Sequence, residues 1–395
     1  MKRVLIGASV IFVSVGANAQ STLTLYGIVD EGLSYFSNVA TTPVEGHSTV
    51  RLLSGVMQQS RFGLRGTEDL GSGYKTLFVL ENGFDASTGK LGQGGLLFGK
   101  RSFLGVISPY GAVTLGRQYD TNVDMAGQFE AASQWGGYIV AHPGDVDNLN
   151  NTITTNQSIK FTTASFAGLK VAALIGLGGV AGDTARNRIW SASAGFTNGG
   201  FSAGAGYLRI NNPNVSFFGN GGSPAAAISG VPGNNMASPV YSGFSSARTQ
   251  SVAVAGASYT IGAAVIAAVY SNTIFGELGD LTSGQNARNL RGQAVFNSAE
   301  VNANYRVTPA LLVGAAYDYT RGASTGGRTG ATYNQFSAGI DYNVSSRTDL
   351  YTVGVFQHAT GTDSTGNAAV AAINGPSASA NGKQAIIRIG IRHKF

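Results

Sequence analysis

The sequence predicts an all-β protein, a transmembrane antiparallel up-and-down β-barrel of about 16 strands. Three observations support this fold class. Apolar and polar residues alternate along segments such as 299–307, 311–319 and 336–344, as in a strand with one apolar face. Tight turns alternate with long connections rich in Gly, Ser and Asn, as in a barrel with turns at one end and loops at the other. Charged residues form only 12% of the chain, against roughly 25% in ordinary soluble domains.

Residues 1–19 have the features of a cleaved signal peptide rather than of a strand. Lys2 and Arg3 precede the apolar run VLIGASVIFVSVG, and a small-residue cleavage pattern ends at Ala19. Removal of this segment lowers the formal net charge from +6 to +4. We therefore expect one barrel domain over residues 20–395, with a charge too small and too dispersed for a nucleic-acid partner.

The same pattern places the elements along the chain. We expect strands that begin near residues 22, 57, 73, 97, 111, 157, 168, 187, 200, 249, 262, 295, 309, 332, 347 and 384. We expect long connections at roughly 34–56, 85–96, 120–156, 178–186, 211–248, 274–294, 322–331 and 361–382. Tight turns such as 69–73, 108–111 and 197–200 separate them.

The width of the barrel decides which face meets water. About 16 strands enclose a lumen too wide for side chains to fill, so the apolar face cannot pack as a core. We therefore expect the apolar face to contact lipid and the polar face to line water. Barrel closure pairs the backbone groups inside the membrane, which fits an exported chain that has no cysteine. The expected location is the outer membrane.

The chain ends in a strand, RIGIRHKF, at residues 388–395. Ile387, Ile389 and Ile391 alternate with polar or small residues up to the terminal Phe395. We expect this strand to close the barrel against the first strand, TLTLYGIVDEG at 22–32. Phe395 would then lie in the aromatic girdle at the periplasmic boundary.

Four segments resemble a known family. They are SRFGLRGTEDLGSGYKTLFVLENGF (60–84), LFGKRSFLGVISPYGAVTLGRQYD (97–120), SSRTDLYTVGVFQ (345–357) and the terminal GIRHKF. In these segments the chain resembles the Gram-negative general porins, and most closely their neisserial and beta-proteobacterial branch.

The resemblance implies a homotrimer in outer-membrane lipid and lipopolysaccharide, with a long third loop folded into the lumen as a constriction. It also implies that Phe395 is the signal read by the barrel-assembly machinery. The implied function is passive diffusion of ions and small hydrophilic solutes, selected by size and charge, without a cofactor.

A basic wall is expected on one side of the constriction. Because Phe62 and Leu64 take the lipid face, parity places Arg61 and Arg65 in the lumen. Parity in the next strand places Lys75 and Glu81 inside. The resemblance adds two lysines, and the expected wall consists of Arg61, Arg65, Lys75, Lys100 and Lys160. Lys100-Arg101 replaces an Arg-Gln pair of the family, so either residue could line the pore.

Acidic residues of the third loop, at about 120–156, are expected to face this wall. They are Asp120, Asp124, Glu130, Asp145 and Asp147. Opposed charges would set a transverse field in a narrow passage where screening is weak. Each acid has an alternative position on the loop surface or rim. The basic wall favours anions, and the loop acids could reverse that preference.

We expect no catalytic, metal or cofactor site. GFSAG at 200–204 fits the hydrolase pattern G-x-S-x-G but lies at the start of a strand, whereas the hydrolase elbow precedes a helix. GLGGVAG at 176–182 lacks the last glycine of a dinucleotide fingerprint. The four histidines, His47, His142, His358 and His393, show no ligand spacing along the sequence.

Three other functions remain open at this point. A channel specific for a sugar, phosphate or organic anion would need a saturable site, for which Phe129, Trp135 and Tyr138 are candidates. A barrel enzyme, such as a lipase or protease, would need a convergent Ser/His/acid set. An adhesin would use the long loop at 211–248.

Overall fold

The computed structural model describes residues 21–42 and 44–395. The predicted signal peptide at 1–19 lies outside the described residues. No helix in this part of the chain is long and apolar enough to cross a membrane.

The described residues form one antiparallel sheet that closes on itself. Its strands are β1 (Thr22–Ala40), β2 (Gly46–Ser54), β3 (Arg61–Gly71), β4 (Tyr74–Gly83), β5 (Arg101–Ser108), β6 (Gly111–Gln118), β7 (Thr155–Thr163), β8 (Leu169–Gly176), β9 (Ile189–Asn198), β10 (Phe201–Asn211), β11 (Ala247–Ile261), β12 (Ala264–Leu278), β13 (Gly292–Arg306), β14 (Leu311–Gly322), β15 (Thr332–Asn343), β16 (Thr348–Thr360) and β17 (Lys383–Lys394). Two short α-helices, α1 (Thr121–Met125) and α2 (Pro213–Ser216), lie in the loops.

Strands β2 and β3 are two parts of one barrel strand. The lower part of β1 pairs with β3, from Thr22 opposite Thr67 to Ile28 opposite Arg61. Its upper part pairs with β2. The chain leaves the ladder between them at residues 55–60. The barrel therefore has sixteen strand positions, which confirms the predicted architecture.

The prediction of a long loop at 34–56 is wrong. β1 continues to Ala40 and β2 begins at Gly46, so the connection is only the turn between them. This hairpin is rich in Ser, Asn, Thr and Gly, a composition typical of loops. A β-ladder is made by backbone groups, however, so a tall hairpin can form without a strongly apolar sequence.

The first and last strands close the barrel as predicted. Strand β17 pairs with β1 from Lys394 opposite Ile28 to Ile386 opposite Phe36. The terminal Phe395 completes this ladder, because its backbone N–H and C=O each form a 3.0 Å hydrogen bond with Gly27.

Side chains alternate between an apolar outer face and a polar inner face. Exposed apolar residues such as Leu23, Leu25 and Ile389 form the outside of the barrel, while serines and threonines such as Ser193 and Thr320 are turned inward and buried. Exposed aromatic residues follow the end that carries the tight turns, among them Tyr74, Tyr110, Phe166, Phe201, Tyr259, Tyr305, Tyr342 and Phe395. This arrangement is typical of a barrel with a lipid-facing band and an aromatic girdle.

The connection between β6 and β7, residues 119–154, folds into the lumen and is called loop 3. At its start, Thr121 Oγ1 contacts Ser193 Oγ of β9 at 2.8 Å. Further along, Gln335 Nε2 of β15 donates hydrogen bonds to the carbonyls of Val140 (3.0 Å) and Ala141 (3.1 Å). Loop 3 therefore crosses the interior from one wall to the opposite wall, which narrows the channel.

Candidate functional site

The candidate site is the passage between loop 3 and the wall formed by β3, β4 and β5. A cavity of about 700 Å³ lies here. Its charged lining residues are Arg61, Asp85, Lys100, Asp341 and Arg392. Loop 3 contributes neutral polar groups to the same lining, namely Ser133, Gln134, Asn150, Asn151 and Thr152.

Glu81 lies at the centre of the basic wall and binds two of its arginines. Its carboxylate accepts hydrogen bonds from Arg101 Nη2 at 2.8 Å and Nε at 3.3 Å. Arg61 Nε lies 3.5 Å from the same carboxylate, and Tyr26 donates its hydroxyl to it at 2.9 Å. Two guanidinium groups therefore share one carboxylate, so the group keeps an excess of positive charge.

Lys100 lies beside this group and is bonded to a neutral partner. Its Nζ donates a 2.7 Å hydrogen bond to Gln59 Oε1 and lies 5.9 Å from the centre of the Tyr119 ring. Among the described residues it has no carboxylate partner. Burial, assisted by the positive charge of Arg61, lowers the pKa of Lys100 to about 7.

Both residues of the Lys100-Arg101 pair face the channel. Arg101 is the first residue of β5 and points inward with Glu81, the residue opposite it in the ladder. Lys100 precedes the strand, so the alternation of a strand does not apply to it. For this reason two consecutive basic side chains can reach the same lumen.

Two other predicted wall residues lie nearer the end with the tight turns, and only Arg65 touches the group around Glu81, through Tyr26. The Arg65 guanidinium lies 5.3 Å from the centre of the Tyr26 ring, nearer the end with the tight turns. Lys75 follows one of those turns, and its Nζ lies 3.7 Å from Asp69 Oδ2 in a largely exposed pair. The structure does not bring Lys75 to the constriction, because parity fixes the face of a side chain and not its depth.

Lys160 on β7 connects the wall to loop 3. Its Nζ lies 2.6 Å from Asp124 Oδ2 and donates to the Tyr119 carbonyl at 3.1 Å. Asp124 is the one predicted loop acid that stays partly exposed, and this pairing offsets its charge.

Asp120 and Asp145 have structural positions inside loop 3, contrary to the expectation that they face the wall. Asp120 caps α1 by accepting the backbone N–H groups of Asn122 (2.9 Å) and Val123 (3.3 Å). Asp145 accepts those of Asn150 (3.1 Å) and Thr152 (3.0 Å). Burial raises the pKa of each carboxyl to about 6.

Glu130 and Asp147 are also turned away from the channel. Both are buried between loop 3 and the barrel wall. Glu130 Oε1 accepts the His142 backbone N–H at 2.9 Å, and Asp147 Oδ2 lies 2.7 Å from His142 Nδ1. Four of the five predicted loop acids therefore do not form an acidic face opposite Arg61.

Sequence reasoning missed a fully buried ion pair on the inner face of the barrel. Arg388 and Asp30 are both fully buried, 3.1 Å apart, on the strands that close the barrel. Arg388 Nε also donates to the Tyr351 hydroxyl at 2.6 Å. The sequence did contain a signal for this pair. Arg388 lies between two isoleucines, so its side chain must point to the polar inner face of β17.

The hydrolase-like sequence does not form a catalytic elbow. Phe201 to Gly204 belong to β10, which continues to Asn211 without a helix. The local geometry is that of an ordinary strand pairing with β9 and β11.

Comparisons with known proteins agree with this geometry. A sequence family described as Gram-negative porin matches residues 7–362. An outer membrane porin protein of Bordetella pertussis is 28% identical over 383 residues, which cover 90% of this chain and 94% of that protein.

Solved structures show the same fold. The anion-selective porin from Comamonas acidovorans has a TM-score of 0.72 at 23% identity, with coverage of 95% of this chain and 100% of that one. OmpT of Vibrio cholerae in its trimer form has a TM-score of 0.63 at 17% identity, with coverage of 95% and 99%. A closed sixteen-position barrel with an inward loop, matched over most of its length by this family, leads to one conclusion: the chain belongs to the Gram-negative porins and forms a diffusion channel in the outer membrane.

Proposed function

We propose that this porin conducts ions and small hydrophilic solutes passively and prefers anions at the passage beside loop 3. One observation carries the preference. Arg61, Lys100 and Arg101 gather around a single carboxylate, Glu81. Since the loop side of the passage is lined by neutral amides and hydroxyls, the wall keeps its positive potential.

The wall charges lie close enough to a passing ion to change its local concentration. A unit charge roughly 6 Å from a passing ion contributes about 0.7 kcal/mol even at the dielectric constant of water, or about a threefold change in local concentration. Asp341 and Asp349 share Arg392, at 3.2 and 3.0 Å. This pair of acids and Asp85 offset only part of the potential of the basic wall. Fixed basic groups at a constriction are a recognised source of anion preference.

The experiment is the reversal potential of the purified protein in a planar bilayer with a salt gradient. We expect large ohmic single-channel steps and a reversal potential on the anion side. The preference should shrink as the mean ionic strength rises, because salt screens the wall charges. A reversal potential on the cation side would disprove the anion preference and leave the channel function intact.

The same recording separates a diffusion channel from a substrate-specific one. Small steps, blocked by a single sugar, phosphate or organic anion at low concentration, would support the specific channel. Of the three candidates for an aromatic sugar track, Phe129 is buried against the wall, whereas Trp135 and Tyr138 line the cavity. Trp135 is only 4% exposed, so it offers little aromatic surface to a sugar, which supports the diffusion channel. The segment 201–204 is part of a strand and not a hydrolase elbow.

We also propose that the protein is a homotrimer in lipid and lipopolysaccharide, and that Phe395 is the signal for the barrel-assembly machinery. The half-exposed Phe395 ring at the end of the closing ladder supports accessibility to a partner. Unheated electrophoresis of outer membranes should show a trimer band that heating converts to monomer. Deletion of Phe395 should lower the amount of this band, and an unchanged amount would contradict the signal role.

A further inference from the structure

A group of buried ionisable side chains lies behind loop 3, on the side away from the channel. We call it the wall cluster. It consists of Glu130, His142 and Asp147 of loop 3, Glu300 of β13 and Asp318 of β14. Each of these residues is no more than 2% exposed. Four carboxyl groups surround one imidazole here. Burying this much negative charge costs a large free energy unless a cation is bound with it.

His142 is oriented as a metal ligand would be. Its Nδ1 lies 2.7 Å from Asp147 Oδ2, and the Ser271 hydroxyl donates to the same carboxylate oxygen. Metal-binding histidines commonly donate one ring N–H to a carboxylate, which leaves the other nitrogen free to bind the ion. Among the described residues, His142 Nε2 forms no hydrogen bond, and Asp318 Oδ2 lies 3.4 Å from it.

Two carboxylates each present an oxygen that has no hydrogen-bond partner among the described residues. Glu130 uses Oε1 for the His142 backbone N–H, and its Oε2 stays unpaired. Glu300 uses Oε1 for the Ala131 N–H at 2.8 Å and for Asn302 Nδ2 at 2.7 Å, and its Oε2 also stays unpaired. Unpaired buried polar atoms are rare in folded proteins and call for an explanation.

These groups converge. One ligand atom from each of Glu130, His142 and Glu300 lies within 4.8 Å of those from the other two. Bonds to a zinc ion are about 2.0–2.2 Å long, so two ligand atoms in tetrahedral coordination lie roughly 3.3–3.6 Å apart. A small inward movement of the side chains would bring all three to one ion.

We propose that the wall cluster binds one divalent transition-metal ion of the Zn²⁺ type, with Glu130, His142 and Glu300 as ligands. Asp147 orients the imidazole, and Asp318, which lies outside the converging group, adds negative charge 3.4 Å from His142 Nε2. One imidazole with several carboxylates suits zinc better than calcium or magnesium, which prefer all-oxygen sites. The ion would join loop 3 to β13 and so hold the width of the passage. This proposal does not depend on the anion preference.

The competing occupant is a proton. Although burial opposes protonation, the carboxylates of Asp147 and Asp318 raise the pKa of His142 well above its usual value. A protonated imidazole would offset part of the same negative charge. The two occupants differ in a measurable way, because only the metal ion adds an element to the protein and responds to a chelator.

The experiment loads the full-length mature barrel during refolding, so that the ion can enter before the cluster closes. The protein is refolded into detergent micelles with ZnCl₂ or with EDTA, dialysed, and analysed by elemental mass spectrometry and by urea unfolding. We expect about one zinc per chain and a higher urea midpoint in the zinc sample. Refolding with Co²⁺ should give visible absorption bands typical of a nitrogen- and oxygen-ligated ion.

Matched variants identify the ligands. Glu300→Gln keeps an oxygen for Ala131 and Asn302 and removes the charge, so the variant should fold without binding zinc. Glu68→Gln changes an exposed glutamate and should bind zinc as the parent does. Equal urea midpoints with zinc and with EDTA, together with no zinc in the parent protein, would overturn the proposal and assign the cluster to protons. Equal zinc content in both variants would also overturn it.

Discussion

Replacing Arg388 by alanine should destabilise the barrel by about 3–5 kcal/mol, the usual cost of leaving one member of a buried ion pair alone. The arginine and its partner Asp30 are fully buried. Asp30 would keep the Gln58 backbone N–H at 2.7 Å and the Tyr351 hydroxyl at 2.5 Å, but it would lose its counter-cation.

The effect should be large because Arg388 joins several strands at once. Its guanidinium donates to the carbonyl of Gly32 (3.0 Å) and the hydroxyl of Ser34 (3.0 Å) on β1, and to the carbonyl of Leu53 (2.9 Å) on β2. Removing one side chain therefore leaves acceptors unpaired on both strands beside the closing seam.

The measurement is the urea midpoint of the folded barrel, followed by tryptophan fluorescence and by the heat-dependent shift on gels. Arg306→Ala removes an exposed arginine at the end of β13 and serves as the control, with a change of less than about 0.5 kcal/mol. The double variant Asp30→Asn, Arg388→Met should recover part of the loss, because it removes both charges. Equal midpoints for Arg388→Ala and Arg306→Ala would show that the buried pair does not stabilise the seam.

Neutralising the basic wall should remove the anion preference. The double variant Arg61→Gln, Lys100→Gln takes away two cations and leaves Arg101 paired with Glu81. Each charge changes the local anion and cation concentrations about threefold in opposite directions. At pH 6, where Lys100 is protonated, the anion-to-cation permeability ratio should therefore fall roughly tenfold for each cation removed. The reversal potential in a salt gradient measures this ratio, and the single-channel conductance confirms that the pore is still open.

The wild-type preference should also depend on pH through Lys100. Because its pKa is lowered to about 7, the side chain is cationic below this pH and neutral above it. The anion preference should therefore be larger at pH 6 than at pH 8. Lys100→Arg should keep the preference at both pH values, since arginine stays charged. A Lys100→Arg channel with the pH dependence of the wild type would assign that dependence to another group.

A loop acid provides the control for selectivity. Asp120→Ala removes an N-cap, which costs about 1 kcal/mol of stability, and should leave the reversal potential unchanged. A shift towards anions in Asp120→Ala would mean that its carboxylate contributes to the field in the channel after all.

Most of the barrel was predictable because its pattern is repetitive. Apolar and polar residues alternate along a strand because successive side chains meet lipid and water in turn. Each strand shows this pattern in its own sequence, without reference to the others. The closing pair, β1 with β17, follows from the need to leave no edge in the membrane. The hairpin around Ala40 and Gly46 was missed because strands outside the lipid carry no such apolar signal.

The basic wall was partly predictable, and the loop acids were not. The position of Arg61 follows from strand parity, which is a property of the local sequence. The environment of Glu130 depends on Glu300 and that of Asp147 on Ser271, residues more than a hundred positions away. A loop also has no fixed alternation, so nothing in its sequence shows which side of it faces the channel. The exception is Asp120, since an aspartate just before a short helix is a typical cap.

The seam between the first and last strands also has a consequence for the time course of folding. Arg388 and Asp30 are separated by 358 positions in the chain, so their contact cannot form until nearly all of the polypeptide has been delivered. Folding rates fall as contacts become more distant in sequence. Until the last ten residues arrive, β1 has an unpaired edge that can bind other strands. Pairing of β17 with β1 therefore determines when this edge stops being available to other chains.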